Sequence, residues 1–255
     1  MKKLFTLMVA LVFMSGAAFA QDNEASLSQD GDDNEAEIAQ IGQNLDATIE
    51  QGFDDTQQSN AYALIDQAGA DNEALIRQRA FGSSQTNTHA ILQDGEDNRA
   101  RVRVFNGENV GGILQVGDGN DGHLVQSATG HLGGIAQLGE DNRAYARQST
   151  GSNIVGIGQF GEDNKASARQ REGTDNMAVI VQFGEGHMAG DGSSSGPFGI
   201  LQEGSYNMAL VSQFGTSHTA SVSQMGDGNT ATITQSGGFG GGGDVPLLPG
   251  DDMLQ

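Results

Sequence analysis

The chain has 255 residues and a formal net charge of −21, from 33 acidic against 12 basic residues. So few basic side chains leave little from which to build a nucleic-acid surface, and a chain without cysteine has no disulfide framework. With no tryptophan, 5% aromatics and 39 glycines, a large core of bulky side chains is also excluded.

Residues 1–20, MKKLFTLMVALVFMSGAAFA, run from Lys2 and Lys3 through an apolar stretch to Ala18-Phe19-Ala20, the order of a cleaved secretory signal peptide. They are set apart from the fold. No later apolar stretch reaches about 18 residues, so the sequence predicts a secreted protein that is not an integral membrane protein. Loss of Lys2 and Lys3 takes the charge from −21 to −23.

Residues 21–235 repeat. Glutamine anchors stand at Gln29, Gln40, Gln51, Gln67, Gln78, Gln93, Gln115, Gln126, Gln137, Gln148, Gln159, Gln170, Gln182, Gln202, Gln213, Gln224 and Gln235, with Val104 in one anchor place. Most steps are eleven residues. Six places before the anchors come Asn23, Asn34, Asn72, Asn87, Asn98, Asn109, Asn120, Asn142, Asn153, Asn164, Asn176, Asn207 and Asn229. Leu45, Ala61, His131, Gly196 and His218 fill that place in the other units. Four places before the anchor stands Ala or Gly, apart from His89, Val155 and Phe198, and two places before it an aliphatic residue or alanine. Every second unit is stricter there, as at Ile38, Ile65, Ile91, Ile113, Ile135, Ile157 and Ile180, so the true period is 22 residues.

Asn, Ala, Ile and Gln spaced by two point to one face of one strand. The Gly-x-x-Asn link, as in GEDN, suits a tight bend, because glycine supplies unusual backbone angles and Asn or Asp bonds its own backbone. A strand-turn-strand unit this short cannot bury its inner face alone. The sequence therefore predicts an all-β fold, a β-solenoid of about nine stacked two-strand coils with a 22-residue repeat and an amyloid-like cross-β arrangement. At roughly 4.8 Å per coil the rod is ~43 Å long. Inside it each Gln or Asn is expected to bond its copy in the neighbouring coils, since buried amides need partners.

Four anchor steps exceed eleven residues: 51 to 67, 78 to 93, 170 to 182 and 182 to 202. They are expected to bulge as loops from bends, the longest around GDGSSSGPFG at 190–199. Residues 236–255, SGGFGGGGDVPLLPGDDMLQ, read as a Gly-rich linker and flexible C-terminal tail.

The phrase Gln-x-Gly-x-x-Asn-x-Ala-x-x-x-Gln, intact at 29–40, 67–78, 137–148, 159–170, 202–213 and 224–235, closely resembles the repeat of the curlin family. That resemblance implies a subunit of curli, the functional amyloid fibres of bacterial biofilm matrix. It further implies export through an outer-membrane secretion pore, nucleation by a curli-type nucleator at the cell surface, and head-to-tail growth of a homopolymer. The self-assembly ladder then falls on the glutamines above and on Asn34, Asn72, Asn98, Asn120, Asn142, Asn164, Asn207 and Asn229. Val104, Leu45 and Ala61 depart from the pattern, which predicts less regular first and middle coils.

Other features have a sharp and a bland reading. Glu96, Asp118, Glu140, Glu162 and Glu185 share one turn position, so they form either a calcium-binding column or, as the spacing favours, a solvated edge neutralised by Arg99, Arg143 and Lys165. His131, His187 and His218 are read as substitutes for ladder asparagine rather than metal ligands, and His89 receives no role. Arg103, Arg147 and Arg169 share an outward position and are expected to be salt-bridge partners. Phe160, Phe183 and Phe214, with Ile41, Val116 and Leu138, form either an outward stripe for lateral bundling or a row tucked under the turn. No catalytic set converges, and neither an enzyme nor a cofactor is expected. The rival function is a monomeric secreted β-solenoid binding ice or polysaccharide, for which the single TATIT at 230–234 is too little threonine.

Overall fold

The computed structural model describes residues 22–52, 58–79, 86–190, 192–196 and 198–237. The expected signal peptide, the tail beyond Gly237 and the inserted segments 53–57 and 80–85 lie outside them. Every described strand belongs to a β-solenoid of nine coils with a repeat of roughly 22 residues, as the anchors predict, and no helix forms among the described residues.

Each coil contributes one strand to each of two sheets. The first sheet runs from Glu24–Gln29 in coil 1 to Val222–Met225 in coil 9, and the second from Glu35–Gln43 to Thr230–Gly237. All strands within these sheets pair in parallel, in register from anchor to anchor, as in Gln115↔Gln137 and Gln148↔Gln170. Coil 9 continues two residues past Gln235.

The core is the narrow space between the sheets, filled by Ala nearest one bend and by Ile, Leu or Val in the middle: Ala144 and Ala146 face it in coil 6, Ile157 in the opposite strand. Small side chains at the alanine positions let two sheets close without voids. Leu45, Ala61 and Val104 do not loosen their coils, contrary to the expectation. All three are fully buried, and Gln78↔Val104↔Gln126 keeps the register. An apolar side chain of suitable size fills an inward position as well as an amide does, and the backbone ladder sets the register.

The glycine after each second-sheet anchor has a steric cause. Gly139 has φ +120°, and a Cβ on it would lie 2.2 Å from the carbonyl oxygen of Gly161 in the next coil. The Asp of GEDN sits in the left-handed region, at φ 52° in Asp141 and 53° in Asp163, a conformation that Asp and Asn tolerate better than most residues. The acidic character of the turns thus follows partly from backbone geometry.

The longest insertion corrects the expectation that it bulges from a bend. Met188–Ala189 pairs with Lys165 and Ala166, and Ile200–Glu203 resumes pairing at Ala168, so residues 190–199 leave from the middle of a first-sheet strand. His187 therefore occupies the Asn place of coil 8, not Gly196. The excursion folds over the outside of the first sheet, where a Cβ on Gly192 would touch Arg143 and the Arg169 guanidinium lies 5.4 Å from the Phe198 ring centre.

Candidate self-assembly surface

Inward glutamines sit directly above one another because parallel, in-register strands place identical positions one coil apart. In the second sheet the result is an unbroken ladder. The Nε2 of Gln40 donates to the Oε1 of Gln67 at 3.0 Å, and the chain continues through Gln93, Gln115, Gln137, Gln159, Gln182 and Gln213 to Gln235, with no step above that distance. The second amide hydrogen goes to a main-chain oxygen across the core, as from Gln115 to Arg99 O at 2.9 Å. Both donors are thus satisfied, which removes the penalty of burial.

The first-sheet ladder has a gap at Val104, and the gap is bridged. Gln29 donates to Gln51 and Gln51 to Gln78; beyond the gap Gln126, Gln148, Gln170, Gln202 and Gln224 follow in order. Between them His89 reaches across from the second sheet. Its Nδ1 accepts from Gln78 Nε2 at 2.9 Å and its Nε2 donates to Gln126 Oε1 at 2.6 Å. The bonds fix a neutral imidazole protonated at Nε2, and complete burial pushes its pKa down to about 4, against the raising effect of the Gln126 bond. His89, without a role by sequence, is the missing rung. The visible signal was a bulky polar residue at an alanine place near the one anchor that is not glutamine.

The asparagines add backbone bonds to the amide ladder expected of them, which appears from Asn120 to Asn98, from Asn176 to Asn153 and from Asn229 to Asn207. Their Oδ1 accepts the backbone N–H of the next coil, as Asn98 Oδ1 does from Asn120 N at 3.0 Å, while Nδ2 reaches a glycine carbonyl, as from Asn120 to Gly139 O at 2.8 Å. Amide-to-amide bonds occur as well, from Asn142 and Asn164 to their predecessors. Histidine replaces this pattern faithfully: His131 Nδ1 accepts from Asn153 N at 3.3 Å and its Nε2 donates to Ser127 O. His187 and His218 repeat it with their rings stacked 5.3 Å apart, and burial lowers the pKa of His131 and of His187. Asn34, Asn72, Asn207 and Asn229 serve the same turns in their coils.

These ladders have direction, so the two ends of the rod differ. Glutamine amides donate forward, which leaves carbonyl acceptors of Gln29 and Gln40 at the coil 1 edge and a spare amide hydrogen on Gln224 and Gln235 at the coil 9 edge. The bonds to asparagine Oδ1 run the opposite way, each accepted from the following coil, while the Nδ2 bonds to glycine carbonyls run forward. Coil 9 laid on coil 1 of another copy in the register of the internal coils would align Ala231, Ile233, Gln235 and Gly237 with Ala36, Ile38, Gln40 and Gly42.

The outer faces are unlike each other. Lys2 and Lys3 aside, all ten remaining basic residues lie on the outside of the first sheet in coils 3 to 7. The ion pairs there link neighbouring coils: Arg77 with Glu50, Arg99 and Arg101 with Glu73, Arg143 with Asp121, and Arg171 with Glu203. Arg103, Arg147 and Arg169 are not in ion pairs among the described residues, and Arg99 and Arg143 turn to the preceding strand rather than to Glu96 and Glu140. Both corrections have one cause: an outward side chain is nearer to its neighbour one coil away than to the turn. Burial, aided by Arg103 and Arg101, pushes His123 on this face down to about 4.

Of the turn acids, Glu140, Glu162 and Glu185 stack in register, and Asp118 accepts the Glu96 N–H at 2.9 Å. Among the described residues, no three His, Cys, Asp or Glu side chains converge as a metal set. On the second sheet the phenylalanines point outward, not under the turn. Phe160, Phe183 and Phe214 stack with ring centres 4.4 and 5.4 Å apart, and Ile41 is 67% exposed.

The model of the curlin associated repeat matches residues 20–52, 173–215, 199–226 and 207–237. Coils 3 to 6 lie between these segments and carry the same ladders in the same register. No curated protein matches the chain.

Proposed function

This chain is a curlin-repeat protein, and we propose that it is a secreted subunit that polymerises head to tail into curli-like extracellular amyloid fibres, contributing to adhesion and biofilm matrix. The observation that carries the reading is the pair of open, complementary edges, each ending in half-filled ladders that a second copy completes. Two parallel strand edges with unpaired main-chain groups are a template for further strands. A curli-type nucleator and an outer-membrane secretion pore are the partners this role requires, and the role itself is structural, without catalysis or cofactor. The rival reading as an ice or polysaccharide binder finds no repeated threonine array on either outer face, since Thr230, Thr232 and Thr234 line up in coil 9 alone.

Incubated at high concentration, the purified chain is expected to form dye-binding fibres with a diffraction spacing near ~4.7 Å along the axis. A chain that stays monomeric for days would overturn the proposal. Fibre growth should also depend on the end rungs. Gln29→Ala with Gln40→Ala, or Gln224→Ala with Gln235→Ala, is expected to slow elongation by about tenfold relative to folded protein, because each removes a junction bond on every ladder besides the one that its glutamine makes within the chain. Gln137→Ala with Gln148→Ala should act on monomer stability instead. Equal slowing of elongation by all three pairs would argue against head-to-tail growth.

Charge sets the barrier to docking. Carboxylates about 5 Å apart repel by on the order of 1 kcal/mol in water, and each junction adds further like charge from chains of this sign. Raising salt to ~1 M, where the screening length is ~3 Å, should shorten the lag. The triple variant Glu140→Gln, Glu162→Gln and Glu185→Gln should have a shorter lag at low salt and a flatter salt response. Lag times that are the same in both proteins and insensitive to salt would mean that the acidic edge has no part in assembly.

A further inference from the structure

The outside of the second sheet is apolar over five coils. Its outward positions in coils 4 to 8 come from Val110–Val116, Leu132–Glu140, Ile154–Glu162, Met177–Glu185 and Met208–Thr216, and between the first residue of each strand and the one after its anchor none is charged and only Ser212 is polar. Val110, Leu132, Ile154 and Met208 are each more than 40% exposed. A flat charged rod surface would have been the ordinary solution for a soluble solenoid, and the first sheet adopts it.

The face has relief. Val110, Leu132 and Ile154 form one ridge along the rod, and Val116, Leu138 and the Phe160–Phe183–Phe214 stack form another. Between them Gly112, Gly134, Gly156 and Gly158 leave an apolar groove of about 430 Å³, floored by Ile113, Ile135 and Ile157. A Cβ added at Gly134 or Gly156 would meet nothing within 4 Å, and neither glycine has a positive φ. Backbone conformation and fold packing therefore do not require these two glycines, whereas Gly139 and its column are required.

We propose that this face binds a second copy of the chain side by side, the Val110–Leu132–Ile154 ridge of each copy seated in the Gly112–Gly134–Gly156 groove of the other. A two-fold axis along the rod makes the contact reciprocal, ridge to groove in coils 4 to 6, in the manner of a dry interdigitated zipper; Val179 and Leu210 fill the groove position in coils 7 and 8. Charge selects the occupant. Chains of net charge −21 repel through their turns, and this is the face on which two copies meet without a charged group between them. The interlocking part covers three coils at ~4.8 Å by seven residues at ~3.3 Å, roughly 330 Å² per copy or about 650 Å² in all, the size of a weak contact that shows itself as concentration-dependent pairing. The parallel arrangement leaves both pairs of rod ends open, so it holds whether or not the chain also elongates.

The experiment uses the full-length chain and fills the groove without making it less apolar. Sedimentation should show a concentration-dependent dimer for the wild type and at least about tenfold weaker pairing for Gly134→Val with Gly156→Val, with unchanged far-ultraviolet circular dichroism. Because the chain has no cysteine, a mixture of a Leu132→Cys chain and a Gly134→Cys chain gives a direct reading: mild oxidation should link the two variants to each other. Copies joined end to end hold those positions ~43 Å apart and cannot link. Groove-filled chains that pair as well as the wild type, or a wild type that stays monomeric and binds phosphatidylcholine vesicles, would overturn the proposal.

Discussion

Gly237→Val is expected to stop growth at the coil 9 end of the rod and to leave the monomer folded. In the column Gly42, Gly69, Gly95, Gly117, Gly139, Gly161, Gly184 and Gly215, a Cβ on each member would lie between 1.6 and 2.3 Å from the carbonyl oxygen of the next. Gly237 is the last of the column and meets nothing within 4 Å. In a fibre that continues the coils in register, Gly42 of the next copy supplies the missing carbonyl, and the valine collides with it. Its φ of +143° costs a side chain about 1–2 kcal/mol, at the final residue of an edge strand where the backbone can shift. Losing a junction contact worth about 3 kcal/mol slows seeded elongation by roughly a hundredfold.

The variant keeps an intact coil 1 edge, so it should still add to the coil 9 end of a wild-type fibre and then block it. Substoichiometric capping of wild-type growth is the signature, because a misfolded variant would not add at all. Gly215→Val, inside the rod, should instead lower monomer stability. Wild-type elongation rates for Gly237→Val would mean that junctions do not continue the glycine column.

His89→Ala should destabilise the monomer by about 3 kcal/mol, and Val104→Gln in the same chain should restore it. Removing the imidazole strands the Gln78 amide and the Gln126 carbonyl in a dry core, each at about 1–3 kcal/mol, and opens a cavity beside them. The second change supplies the regular rung, a glutamine facing the truncated side chain, so that Gln78 donates to residue 104 and residue 104 to Gln126. Val104→Gln alone crowds His89 and should be destabilising. The double-mutant cycle is then expected to give a coupling above about 2 kcal/mol in urea denaturation. Additive effects would mean that His89 does not stand in for the rung.

Acid tests the same residue. The folded-state pKa of about 4 lies below the unfolded value near 6.5, so the unfolded chain takes up the proton first and stability falls between those two values. His89 accounts for a loss of about 3 kcal/mol across that window, at 1.36 kcal/mol per unit. The double variant should lose this part of the slope. His123, His131 and His187, whose pKa values are also lowered, keep a slope of the same sign in both proteins.

Periodicity alone determined the coil. Residues two apart share a strand face and anchors eleven apart share a place on the coil, so Gln137, Ile135 and Gly133 were assigned inward, and nine coils counted, without knowledge of any contact. The glycine two places after the anchor was legible as a turn residue, while its collision partner in the next coil was not. Tertiary structure decided whatever depends on neighbours across the core or one coil away. His89 meets Gln78 and Gln126, which lie 11 and 37 residues from it on the opposite sheet, a relation no single strand's spacing contains. Arg99 chooses Glu73 over Glu96 because stacking brings the preceding strand within reach, and the 190–199 excursion leaves from mid-strand because anchor counting registers only a strand's end. Composition averaged away the two outer faces: ten basic residues look sparse along the chain, but period two and parallel stacking gather them on one sheet and leave the other apolar in coils 4 to 8.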